Sequence, residues 1–414
     1  MNCEIVSIGT ELLMGQIVNS DAQYLSQRLQ GLGISVYYHT TVGDNPERMR
    51  DAIARALSRS DIVITTGGLG PTQDDLSKEI AAELLGLPMR FDEASWAQIR
   101  AYFEKLGRDC PEINRKQAML AEGAEALPNA CGTAPGCYLE LGGRTLVQLP
   151  GPPREMKDMF ERQVAPRLAA RMDGCIASRY IRIYGLGESA VAQMCAKWIE
   201  GAGEATVAPY CQLGECQLRV TAKAATEPEA LGKVEPVVGE LLAVLGGAVY
   251  AVCPTSEGSM EAAAAQALLS RRLTVATAES CTGGLVAARL ISCPGISAAL
   301  CEAHVTYANE AKIRYCGVDP ETLARFGAVS EQTAREMALG LRERSGADIA
   351  VSTTGIAGPD GGTAKKPVGL VYIGVASAKG VAVEERRFSG DRERVRSLAA
   401  LAALNGIRRA AIEA

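Results

Sequence analysis

Short apolar, β-branched runs that break directly into polar, glycine-rich turns constrain this chain more than any other feature. CEIVSIGTE, DIVITTGGLG, LTVATAESCTGG and ADIAVSTTGIAG all follow that course. Each run fits a strand buried on both faces, and the glycines let the backbone turn sharply and approach a ligand at the strand's end. Between the runs lie stretches of helical spacing. NSDAQYLSQRLQGLG sets Tyr24, Leu25, Leu29 and Leu32 on one side, PERMRDAIARALSRS begins with proline, and DDLSKEIAAELLG opens with acids. Strands alternating with helices predict an α/β fold with a parallel sheet covered on both faces. GCYLELGGRTLVQL predicts a hairpin with a Gly-Gly turn, and GPPREMKDMFERQVAPRLAARM begins a helix.

A chain of 414 residues suggests two to three domains. The first reaches residue 172. The second, 173–254, reads as YIRIYGL strand, ESAVAQMCAKWIE helix, ATVAPYCQLG strand, CQLRVTAKA strand, a helix from EPEAL to LAVLG, and AVYAV strand. That βαββαβ order suits a split-βαβ layer. CPTSEG reads as a linker. In the third domain, 255–414, helices and buried strands alternate again. ALCEAHVTY is read as a strand ending at Tyr307, and SEQTAREMALGLRERSG as a helix capped by its serine.

Composition removes several classes of function. Hydrophobic residues make up 47% and charged residues 22%, so disorder is not expected. The net charge of −5 and 5% aromatic content argue against a nucleic-acid partner. With only His39 and His304, a Ser-His-Asp triad or multi-histidine metal site has almost nothing to draw on. The 13 cysteines include no C-x-x-C pair. No signal-peptide pattern opens MNCEIVSIGTELL and no apolar stretch is long enough for a membrane, so a cytoplasmic protein with reduced thiols is expected.

The chemistry is concentrated at the strand ends. Glu11, Asn19 and Ser20 follow the first strand, where open α/β sheets bind ligands, although ordinary turn chemistry accounts for them equally. Gly67, Gly68 and Gly70 precede a helix N-terminus that offers N–H groups to phosphate. Asp74 and Asp75 would repel that phosphate unless a divalent cation bridges them; otherwise they complement the helix dipole. Arg115, Lys116 and the rigid turn LPGPPREM follow. In TAESCTGG a strand delivers Ser280 to a turn, with its hydroxyl exposed at the sheet edge and the amides of Thr282, Gly283 and Gly284 near it. A helix-capping serine is the other reading, and Cys281 competes as nucleophile. Lys312, five residues beyond Tyr307, supplies a base if desolvated and is otherwise a solvated lysine. TTGIAGPDGG at 353–362, with Arg392 and Arg396 one helical turn apart, reads as a monophosphate site or, for the arginines, a solvated face.

Taken together, IGTELLMGQIVNS, GGLGPTQDDLS, NRKQA with GTAPG, LPGPPREM, ESCTGG, VTYANEAK, GAVSEQTA and TTGIAGPDGG with KPVG resemble CinA, the competence/damage-inducible protein family, over essentially the whole chain. The resemblance implies an N-terminal molybdopterin-binding-like domain (1–172), a KH-like connecting domain (173–254) and a C-terminal α/β deamidase domain (255–414). It implies nicotinamide mononucleotide (NMN) amidohydrolase activity, giving nicotinate mononucleotide and ammonia. It also implies ADP-ribose pyrophosphatase activity that depends on a divalent metal (Mg, Mn or Co) at Asp74 and Asp75. The deamidase domain needs no cofactor. The alternative is a molybdopterin-binding or competence-associated protein without pyrophosphatase activity. The implied catalytic residues are Ser280, Tyr307 and Lys312, with the base undecided between the last two. Substrate-binding residues are expected at Thr282, Gly283, Gly284, Gly355, Gly358, Arg392 and Arg396. In the first domain they are expected at Glu11, Asn19, Gly67, Gly68 and Thr72. A homodimer acting in pyridine nucleotide recycling is implied. His304 stands where the family commonly has glycine, and the middle domain lacks a clear G-x-x-G clamp.

Overall fold

The computed structural model describes residues 1–414 except 173 and 202. The expected start of the second domain, residue 173, therefore lies outside the described residues. The chain forms two compact units, Met1–Ala177 with Lys223–Ala230, and Ser178–Ala222 with Leu231–Ala414.

The first unit contains β1 (Asn2–Ile8), β2 (Ser35–Val42), β3 (Ile62–Thr66), the short β4 (Met89–Phe91), β5 (Met119–Ala121) and β6 (Glu125–Leu127), then β7 (Gly136–Leu141) and β8 (Arg144–Leu149). Its main sheet is six-stranded in the order β2-β1-β3-β8-β7-β6. The run from β2 to β8 is parallel, as the strand–helix alternation predicts. The β7–β8 hairpin and β6 add an antiparallel edge. Gly142 and Gly143 both have positive φ, 59° and 79°, which the two-residue hairpin turn requires. Successive side chains point to opposite faces. Ile5, Ile62, Ile64 and Val147 pack with Leu25, Leu29 and Phe160, while Val6, Val63 and Leu146 pack with Met49, Ile53 and Ile80. Helices thus cover both faces. The Ser77–Leu84 helix begins beyond Asp74 and Asp75, so these acids lie in the preceding turn and do not open the helix.

β1 sits between β2 and β3, so the chain leaves it to one side and returns on the other. The loops after β1 and β3 therefore diverge from one sheet end and open a crevice.

The next four strands, β9 (Cys175–Tyr184), β10 (Thr206–Gln212), β11 (Glu215–Ala224) and β12 (Val249–Cys253), form a sheet in the order β10-β11-β9-β12. Ile181, Ile183, Leu218 and Val220 bury one face against Val234, Val238 and Leu241 of the Glu227–Leu245 helix. The predicted βαββαβ order stands. Its first helix is two pieces, Glu188–Met194 and Ala196–Ile199, broken at Cys195.

The remaining strands are β13 (Val275–Glu279), β14 (Leu300–Val305), β15 (Ile349–Gly355), β16 (Leu370–Ser377) and β17 (Gly380–Arg387), ordered β14-β13-β15-β16-β17. β13 is parallel to both neighbours, and β16–β17 is the expected hairpin. A second switch point thus lies between β13 and β15. Val275, Ile349 and Val351 pack with Leu268, Leu401 and Leu404 on one face. Small Ala276, Ala278 and Ala350 meet Met337, Leu341 and Cys316 on the other. Tyr307 lies past the end of β14, which stops at Val305. Helices Glu93–Lys105 and Pro320–Phe326 were not foreseen. Among the described residues no helix is long and apolar enough to cross a membrane.

One contact in this packing fixes how close two helices come. A Cβ built on Gly340 would run into the carbonyl oxygen of Cys316, at the end of the Asn309–Cys316 helix. Alanine normally favours a helix interior by about 1 kcal/mol over glycine. Here overpacking outweighs that gain, so Gly340→Ala is expected to destabilise the protein by about 1–3 kcal/mol in urea denaturation.

Candidate functional site

Ser280 follows β13 directly. Its amide donates to the Thr353 carbonyl at 2.9 Å on the β15 side, and the Thr306 amide donates to the Glu279 carbonyl at 2.8 Å on the β14 side. These bonds extend the parallel ladder past the strand end and fix where the Ser280 hydroxyl starts. Ser280 is only 9% exposed, less open than the sequence reading of a hydroxyl exposed at the sheet edge, and Lys312 Nζ of the Asn309–Cys316 helix lies against its Oγ. Nor is Ser280 the helix cap. The Leu285–Ile291 helix begins at Gly284, and its free amides are taken by the Glu279 carboxylate, from Val286 at 3.0 Å and Ala287 at 2.9 Å. A buried carboxyl group thus accepts from the first amides of a helix.

Lys312 is 1% exposed. Its Nζ lies 2.9 Å from the Thr306 carbonyl, 3.1 Å from the Tyr307 carbonyl and 3.3 Å from Ser280 Oγ. Loss of water around it lowers its pKa from the usual 10.5. A neutral amine has two N–H groups and one lone pair. As placed, the amine donates to both carbonyls and to Ser280 Oγ; on losing a proton it would keep the carbonyls on its two N–H groups and have a lone pair for the Ser280 hydroxyl. Cys281 is buried beside this pair, and desolvation pushes its thiol up to about 11, away from a reactive thiolate.

The turn after Ser280 is less free than its glycines suggest. The Gly283 amide donates to the Ser280 carbonyl at 3.1 Å, so it closes the turn and does not face an incoming oxygen. The turn's other amides belong to Cys281, Thr282 and Gly284, the first two lying against the Cys281 sulfur. The Thr282 hydroxyl is bonded to that of Thr353 at 2.7 Å, and its carbonyl accepts from Arg396 at 2.9 Å. Arg392 donates to the Gly358 carbonyl at 2.9 Å and to the Tyr307 hydroxyl at 3.3 Å. Tyr307 is 60% exposed, so its backbone supports Lys312 while its ring stands at the surface with Arg392. Gly355 is packed inside the sheet, where a Cβ would lie 2.7 Å from the Leu370 carbonyl.

In the first unit, Gly67 has φ 94° and Gly68 φ 67°; a Cβ on Gly67 would strike the Ile8 carbonyl. Ser77 donates to the Gly67 carbonyl at 2.9 Å and ties the loop to its helix. Asn19 caps the Ser20–Gly31 helix and donates to Ser7 at 2.9 Å, so its polar atoms are structural. Glu11 is exposed in the short Thr10–Leu13 helix beyond β1. The Thr72 hydroxyl lies 2.5 Å from a carboxylate oxygen of both Asp74 and Asp75, and Lys116 donates to the Thr72 carbonyl at 2.7 Å. That hydroxyl, ahead of Lys116's charge, holds the Asp74 carboxyl below the usual carboxylate range. Two carboxylates and a hydroxyl at one corner suit a divalent ion that takes its other ligands from water and a substrate phosphate. Among the described residues no group of three or more His, Cys, Asp or Glu is arranged as an all-protein metal cage.

Both histidines lie elsewhere, His39 on the edge strand β2 bonded to Ser26, and His304 on β14 stacked on Tyr315. Sequence reasoning missed Glu279, which reads as the last residue of a strand. Its only signal is an acid placed just before an uncapped helix start.

Comparisons with known proteins cover the chain from end to end. Residues 4–170 match the family described as "Probable molybdopterin binding domain", 178–251 the "Damage-inducible protein CinA KH domain", and 257–411 the "CinA C-terminal domain". A CinA-like protein of Dictyoglomus thermophilum is 49% identical, covering 99% of each chain. One of Dictyoglomus turgidum is 47% identical with the same coverage. The solved CinA structure from Thermoplasma acidophilum is 34% identical, covering 39% of this chain and 94% of that one, with a TM-score of 0.37.

The Glu279 contacts generate a stability test. Glu279→Ala leaves two buried helix amides without acceptors and is expected to cost about 1–3 kcal/mol or more, read as a lower urea midpoint. Glu279→Gln keeps one acceptor oxygen and should lose less. Equal midpoints for alanine and wild type would show that the cap contributes nothing.

Proposed function

Because the chain belongs to the CinA family, we propose that its C-terminal domain hydrolyses the carboxamide of NMN to give nicotinate mononucleotide and ammonia. The observation that carries this reading is the buried Lys312 amine, 3.3 Å from Ser280 Oγ with two carbonyls on its N–H groups. Ser280 Oγ attacks the carboxamide carbon while its proton passes to Lys312 Nζ. The oxyanion is held by remaining amides of the 281–284 turn. Collapse of the adduct expels ammonia, which takes the proton from Lys312. Water, deprotonated by the same amine, then cleaves the acyl-serine ester. The geometry favours Lys312 over Tyr307 as the base, since the Tyr307 hydroxyl is engaged with Arg392. The substrate phosphate meets Arg392, whose guanidinium is already oriented by Gly358.

For the N-terminal domain we propose hydrolysis of ADP-ribose pyrophosphate. Thr72, Asp74 and Asp75 would hold a divalent ion, and Lys116 would steady their loop. When bound, such an ion neutralises charge on the pyrophosphate. The match of residues 4–170 to a probable molybdopterin binding domain favours a second reading, a domain that binds a pterin phosphate without cleaving it.

Ammonia release from NMN tests the first proposal. Ser280→Ala and Lys312→Ala should each lower kcat by roughly 10²–10⁴-fold, and the double variant should be little worse than either. The wild-type rate should rise with pH as Lys312 loses its proton, levelling off below the 10.5 of an ordinary lysine. A Ser280→Ala enzyme with near-wild-type ammonia release would overturn the covalent mechanism.

ADP-ribose turnover with and without chelator separates the two readings of the first domain. Loss of turnover on chelation and in Asp74→Asn, with NMN deamidation unchanged, is expected for the hydrolase. Binding of a pterin phosphate without turnover at any metal concentration would favour the second.

A further inference from the structure

The β10–β11 hairpin sets two thiols side by side, far in sequence from the Ser280 turn. Its antiparallel register pairs Cys211 with Cys216, and Gln212 with Glu215 next to the turn. The two sulfurs are 3.0 Å apart. Cys211 is exposed and Cys216 is buried. Among the described residues no other two thiols are in hydrogen-bond contact. We propose that Cys211 and Cys216 form a reversible cross-strand disulfide, a modification site independent of the proposed deamidase and pyrophosphatase centres.

The backbone already meets the requirement. Residues directly opposed on antiparallel strands have Cα atoms about 4.5–5.5 Å apart, inside the range of about 4.4–6.8 Å that a disulfide spans. Closing the bond moves the sulfurs together by about 1 Å, to the S–S length of about 2.05 Å. The oxidant is a small-molecule disulfide. The exposed Cys211, as thiolate, attacks one of its sulfurs, breaking that S–S bond and releasing one small thiolate. Cys216 then attacks the Cys211 sulfur of the mixed disulfide and expels the second small thiolate. Both protein thiol protons end on the released thiols. The protein pair loses two electrons, and the small disulfide gains them. Burial, and then the neighbouring Cys211, raise the Cys216 thiol, so Cys216 is not the first to attack. It reacts because its target is held against it, not because it is a ready thiolate.

The turn of the same hairpin lies on the Arg392–Glu413 helix. A Cβ on Gly214 would come within 2.5 Å of Leu398 and 2.9 Å of Leu401. The staple would therefore stiffen a hairpin that rests on the helix carrying Arg392 and Arg396.

The test equilibrates the full chain with oxidised and reduced glutathione at a series of ratios, then traps thiols and maps peptides. A Cys211–Cys216 linkage should be the first intramolecular product and should reverse on adding reduced glutathione. Cys216→Ser should instead accumulate glutathione on Cys211. In Cys211→Ser, Cys216 should stay reduced, which keeps the test decisive if the first variant fails to fold. Wild-type protein that holds glutathione on Cys211 with no linkage at any ratio would overturn the proposal. So would a linkage between other cysteines forming first.

Discussion

A lysine that is 1% exposed must either lose its proton or find an acceptor for every N–H group. Lys312 is offered two carbonyls and one hydroxyl, which satisfy three donors when it is charged and two donors plus a lone pair when it is neutral. The surroundings therefore tolerate both states, and desolvation shifts the balance toward the neutral one. Much of the second unit's architecture serves this arrangement. The chain past β14 supplies the carbonyls of Thr306 and Tyr307, the Asn309–Cys316 helix carries the amine, and the end of β13 fixes the hydroxyl. Gly340 lets the Glu331–Ser345 helix come close enough to hold the lysine's own helix in place.

The same topological device occurs twice. In each sheet a strand has parallel neighbours on both sides, one reached before the other, so the loops beyond its end part company. In the first unit the loops after β1 and β3 carry the exposed carboxylates of Glu11 and Asp74. In the second, the loops after β13 and β15 carry Ser280 and the Gly355–Gly358 segment. The two crevices differ in polarity. One presents acids and a hydroxyl to solvent, while the other carries a buried amine beside a serine.

Much of this was legible from residue order alone. β-Branched runs ending in glycines mark the strands and their loops, and the Gly-Gly turn marks the hairpin. What escaped depends on contacts made between segments distant in the chain. The low exposure of Ser280 escapes a sequence reading because nothing near it announces that Lys312 packs against its hydroxyl. Tyr307 was read as a strand end because apolar and polar residues alternate through VTY, yet pairing with β13 stops at Val305. Gly283 looked like an oxyanion donor, and only the turn geometry shows its amide directed at the Ser280 carbonyl. The Glu93–Lys105 helix buries only Ser95, Trp96 and Ile99, too sparse a stripe to declare its period.

Arg392 and Arg396 are both at work on the protein's own carbonyls, one holding the Gly358 loop and the other the Thr282 turn. Their four-residue separation on a rigid helix is about 6 Å of axial rise. The span between the Thr282 turn and the Gly358 loop is thus gauged by a ruler whose graduations are helix residues. Lengthening it by one residue would rotate one guanidinium about 100° off its mark, so the gauge cannot be adjusted gradually. The spacing of these two anchor points is consequently a discrete quantity, set by helix register.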